Sequence, residues 1–105
     1  MPFPTPGSHT ISLNDAANMT RRFRETVPSG SIIGGLFNAA DIRRILDQPG
    51  CAGLRYYYGL NDSGDPVIVL VGVTADNEDM YRGELAEIST TCPNFCSTEN
   101  PLNGQ

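Results

Sequence analysis

The chain has 105 residues, with 11 glycines, 8 prolines and a net charge of −5. That length predicts one domain able to bury a core without needing a metal or disulfide merely to fold. All seven basic residues are arginines set against 12 acidic ones, so the overall field repels a phosphate backbone, and the longest apolar run, residues 67–73, is far too short to span a bilayer. These features argue against nucleic-acid and membrane partners.

The start, MPFPTPGSHT, lacks a basic n-region and an apolar h-region. It reads as a flexible tail over residues 1–10, on a chain that is cytoplasmic or has had a leader removed. A helix is predicted over residues 13–26. Ser12 is its N-cap, with Asp15 three residues on as in a capping box. Leu13, Ala16, Ala17, Thr20, Phe23 and Val27 recur at helical spacing, and Pro28 ends the run. Arg21, Arg22 and Arg24 lie in the last turns; with Arg43 and Arg44 of the next helix they read as solvated helix faces.

Residues 31–37, SIIGGLF, predict a short strand, with Gly34-Gly35 marking a bulge or a close backbone approach. Asn38 caps a second helix over residues 39–48. Ile42, Ile45 and Leu46 form its buried stripe, and Pro49-Gly50 stops it. A β-hairpin follows, pairing residues 54–60 with 67–73 across the turn cluster 61–65. Leu54, Tyr56, Tyr58 and Leu60 share one face of the first strand; Arg55 and Tyr57 take the other. The second strand is apolar on both faces, which predicts a central strand with Val69 and Val71 deeply buried. Residues 76–79 make the next turn. ELAEIS, residues 84–89, is a last strand or a short helix.

The resulting order is α-β-α-β-β-(β): an α+β fold with two helices on one face of a small, mostly antiparallel sheet. The single domain covers residues 11–91, and residues 92–105 form a polar C-terminal tail carrying two cysteines. The strings QPGCAGLRYYYGL, VIVLVGV and CPNFC resemble a group of small uncharacterised bacterial proteins. Members of that group share a leading helix, a Gln-Pro-Gly-Cys turn into a Tyr-rich strand, an apolar strand and a late Cys-Pro-x-x-Cys. The resemblance spans residues 11–96 and implies the order of elements, but no activity, cofactor or site residue.

Cys92 and Cys96 are the sharpest chemical motif. Their C-x3-C spacing is one residue longer than the thioredoxin-type pair, and no helix evidently begins there to stabilise a thiolate. Three readings stay open: a local disulfide, free or differently paired thiols, or metal ligation together with Cys51 and a fourth ligand such as His9. Taken alone, Cys51 reads as a small apolar residue. His9 is the only histidine, so a nucleophilic triad has no second candidate base, and no catalytic residue is assigned. The acidic turns 61–65 and 76–79 do not match a calcium loop and carry ordinary turn chemistry; Gly34-Gly35 lacks the rest of a phosphate loop.

Arg55 and Tyr57 are the best candidates for a binding surface, because Tyr and Arg are enriched at interaction hot spots. Grouped with Ile68 and Leu70, they predict a sheet face that needs cover, most simply by a second copy in a two-fold homodimer. Two functions follow. The first is a non-enzymatic binding or interaction module, with an unknown protein or small-molecule partner, no cofactor, and cysteines that carry no activity. The second is a thiol redox or metal-binding protein using Cys92 and Cys96.

Overall fold

The computed structural model describes residues 9–88 and 90–104. The predicted N-terminal tail therefore lies outside the described residues, apart from His9 and Thr10. The fold is α+β, with elements α1 (Leu13–Arg24), β1 (Gly34–Leu36), α2 (Ala39–Leu46), β2 (Cys51–Leu60), β3 (Pro66–Thr74), β4 (Leu85–Glu87) and β5 (Thr90–Cys92). Among the described residues, the chain divides into two compact units: residues 36–88, and residues 9–35 with 90–104. No described helix is long and apolar enough to cross a membrane.

The first unit is built on the hairpin. β2 and β3 pair antiparallel from Leu60↔Pro66 to Cys51↔Thr74, with a bulge between Cys51 and Gly53. The loop between them is fixed by Asn61, whose Oδ1 accepts from the Ser63 and Asp65 amides at 2.9 Å each. Gly64 supplies the left-handed residue there, with φ of 84°. β4 pairs antiparallel with the other side of β3, giving the order β2-β3-β4. β3 is thus central, which explains why it is apolar on both faces.

The last segment is a strand. Its Ala and Glu favour helix locally, but pairing with β3 overrides that preference. α2 packs against β2, β3 and β4. The core is Ile45, Val67, Leu70, Val71, Val73 and Ile88. Two burial expectations need correction. Val69 is only half-buried, while Leu46 is exposed because the contact stripe of α2 narrows to Ile45. The α2 C-terminus is tied down by Gln48, which donates to Ile45 O at 2.8 Å and accepts from the Glu84 amide at 2.9 Å. Gly83 makes room for it: a Cβ there would lie 2.1 Å from Gln48 Oε1. Arg44 adds contacts to Asp41 at 2.7 Å and Glu84 at 2.5 Å, so one cation of the second helix already has two acidic partners.

The second unit holds α1, β5 and the first two residues of β1, the strand that pairs with β5. The expected α+β order, with two helices and a mostly antiparallel sheet, is present; α2 packs on the three-stranded sheet, and α1 belongs to the other unit. Ser12 Oγ accepts from the Asp15 amide at 3.0 Å, as its capping role requires. α1 ends two residues early because Thr26 turns back on Phe23 O through both its amide, at 2.9 Å, and its hydroxyl, at 2.7 Å. No residue of α1 is fully buried, and Leu13 and Phe23 of its apolar face are exposed. Strand β1 is shorter than predicted. Gly34 marks no close approach, since a Cβ there would meet nothing within 4 Å. Residues 97–103 form a set of Asn-capped turns, with Asn103 Oδ1 accepting from the Asn100 amide and Asn100 Oδ1 from the Leu102 amide, both at 2.8 Å. Arg24 reaches them by donating to Leu102 O at 2.7 Å.

Candidate functional site

Chemistry-bearing side chains gather in one place in each unit. In the second unit, β5 delivers Cys92. Its carbonyl accepts from the Ile33 amide at 2.7 Å, which fixes the strand end against the residue preceding β1. The chain then doubles back: Phe95 N donates to Thr91 O at 3.0 Å, and Thr91 Oγ1 donates to Pro93 O at 3.1 Å. This turn brings the Cα atoms of Cys92 and Cys96 to 4.8 Å, and the two sulfurs are bridged.

Cys92 is half-buried and Cys96 exposed. Cys96 and Pro93 line a cleft of about 510 Å³ with Val27, Ile33 and Arg24. A cleft of that volume falls in the range of small-ligand sites. Its lining mixes apolar Val27, Pro28 and Ile33 with polar Ser29, Ser31 and Arg24. Of the three cysteine readings, the local bridge is the one present. Cys51 is a free, half-buried thiol that donates to Gly53 O at 3.3 Å. Among the described residues, no group of three or more His, Cys, Asp or Glu is placed to hold a metal ion. His9 is exposed.

In the first unit, Arg55 and Tyr57 do come together, around a residue that the sequence did not single out. Asp79 accepts from Arg55 at 2.5 Å through one oxygen and from the Tyr57 hydroxyl through the other; Arg55 also donates to Asn77 Oδ1. Asn77 sits at φ of 69° in a turn held by Thr74 Oγ1, which accepts from the Asp76 amide at 3.3 Å and the Glu78 amide at 3.2 Å. That turn aims both Asn77 and Asp79 at β2. Both candidate binding side chains are thus committed to partners within their own chain.

The register also corrects their neighbours. Arg55 lies opposite Val71 and Tyr57 opposite Val69, so they share a face with those valines; Ile68 and Leu70 lie opposite Tyr58 and Tyr56 on the other face. The Tyr57 hydroxyl, followed by Arg55, holds the Asp79 carboxyl below its ordinary range, and Asp79 raises the Tyr57 phenol and the Arg55 guanidinium. A lowered folded-state carboxyl stabilises the fold above the unfolded value of about 3.9, and that stabilisation is lost as pH falls through the folded value. Asp79→Asn should therefore lower the denaturation midpoint at neutral pH and flatten its fall below about pH 4. Urea titrations of both proteins across acid pH test this; parallel acid limbs would remove Asp79 as the source.

No protein family, curated protein or solved structure matches the chain.

Proposed function

We propose that the protein takes part in thiol–disulfide exchange through Cys92 and Cys96. The observation that carries this reading is the bridge itself: a short ring with one cysteine half-buried, and the other exposed on a cleft lined by a cation. A purely structural clip is the weaker reading. Closing five residues removes only about 2 kcal/mol of unfolded-state entropy. The apolar core lies among residues 45–88 and includes neither cysteine. Metal binding has less support, because the cysteine pair lacks further ligands among the described residues.

The exposed sulfur sets the direction of exchange. A thiolate of an incoming dithiol attacks Cys96 Sγ, the intramolecular S–S bond breaks, and Cys92 leaves as a thiolate that takes a proton from water. The donor's second thiolate then displaces Cys96 from the mixed disulfide, and Cys96 takes up the second proton. Two electrons and two protons have passed to the pair, and the donor leaves as a disulfide. Arg24 lines the same cleft, and a nearby positive charge favours the thiolate.

Single-cysteine variants in a Cys51→Ser background test the assignment. Cys92→Ser leaves Cys96 as sole nucleophile, and Cys96→Ser leaves Cys92. With a chromogenic aryl disulfide, the Cys96 thiol should react at least about tenfold faster than Cys92, because access controls the rate. Equal rates, or faster reaction at Cys92, contradict the assignment. The double Cys92→Ser/Cys96→Ser variant should stay folded and lose at most about 2 kcal/mol in urea unfolding.

A further inference from the structure

β2 is an outer strand of its sheet. An edge of ten residues is long, and natural edges are usually guarded by lysines, prolines or inward charges. β2 has no lysine and no proline, and its one charge, Arg55, is engaged by Asp79. Leu54, Tyr56, Tyr58 and Leu60 form an apolar row on one face, all of it exposed; Tyr58 reaches 81% exposure and Leu60 72%. The Tyr56 and Tyr58 rings meet edge to face, with centroids 5.6 Å apart, which preorganises the row.

The order of residues along this edge indicates what covers it. Leu54-Arg55-Tyr56-Tyr57-Tyr58-Gly59-Leu60 reads nearly the same from either end about Tyr57. We propose that β2 pairs antiparallel with β2 of a second copy about a two-fold axis at Tyr57, joining the two three-stranded sheets into one. A two-fold contact must be self-complementary: if one residue faces a second, the second faces the first. With the axis at Tyr57, Leu54 faces the partner's Leu60, and Tyr56 faces the partner's Tyr58. Directly opposed residues share a face, so the exposed row continues across the junction as like against like. The single mismatch sets Arg55 against the partner's Gly59, where no side chain clashes and no like charge is opposed. An axis at Arg55 would instead stack arginine on arginine.

Light scattering over a wide concentration range, in the Cys51→Ser background, reads the association. The mass should rise towards twice the 11.3 kDa of one chain. Tyr58→Lys and Leu60→Lys should each return it to the monomer; both side chains are exposed, so folding measured by circular dichroism should be unchanged, and either variant serves if the other misfolds. Tyr81→Lys, exposed but outside β2, should behave as the parent. Oxidative crosslinking reads the register. Tyr57→Cys sits on the axis and should link to itself. Leu60→Cys alone should not, but should link when mixed with Leu54→Cys. A parent that stays at the monomer mass, a dimer indifferent to both lysines, or a Leu60→Cys that self-links as fast as Tyr57→Cys overturns the proposal.

Discussion

Leu70→Asp should abolish cooperative folding. Leu70 is 6% exposed in the central strand, with Tyr56 opposite it on β2 and Ala86 opposite it on β4. Neither neighbour can neutralise a carboxylate. Removing the leucine forfeits roughly 1.5–3 kcal/mol of apolar burial. An unpaired buried charge adds several kcal/mol more, against a typical domain stability of about 5–15 kcal/mol. The expected result is a far-UV spectrum without sheet and no thermal transition. Val69→Asp is the informative contrast. Val69 is half-buried, so its carboxylate keeps some water and the variant should fold with reduced stability. A Leu70→Asp protein that melts cooperatively near the parent temperature would falsify the central-strand description.

Ile45→Ala should cost about 2–5 kcal/mol while leaving the fold in place. Ile45 is the only described residue with a fully buried large side chain, at 0% exposure, and it anchors α2 on the sheet. Truncation leaves a cavity that neighbours held by the Gln48 and Arg44 contacts cannot readily close. The urea midpoint should drop with the slope unchanged. Leu46→Ala, one position along and exposed, should shift the same curve by no more than about 0.5 kcal/mol. Equal losses at the two positions would mean that α2 docks through a different stripe.

These contrasts mark where sequence suffices and where it does not. The hairpin is legible because two strand-like runs flank a turn whose Asn61 and Gly64 have the chemistry a tight reversal needs. Its register is not, because a slip of one residue flips every side chain to the other face. Grouping Arg55 and Tyr57 with Ile68 and Leu70 amounts to such a slip; the pairing Tyr57↔Val69 puts them with the valines. Helix caps at Ser12 and Asn38 are local and readable. Asp79 is invisible as a partner of Arg55, since 24 residues separate them and a turn built on Thr74 and Asn77 brings them together. For β4, helix-favouring composition competes with a pairing that only the tertiary structure supplies. The proximity of Cys92 and Cys96 follows from the turn between them, but their bonding state depends on how far that turn closes.

The measurement that bears most directly on thiol–disulfide exchange is an equilibrium titration of the Cys92–Cys96 bridge. It uses glutathione or dithiothreitol buffers in the Cys51→Ser background, read by intact mass after alkylation and by circular dichroism in parallel. An exposed, exchange-active pair should interconvert reversibly with a midpoint above about −300 mV, the fold persisting in the dithiol form. A midpoint well below that value, or unfolding on reduction, would make the bridge a structural clip and contradict the proposed function.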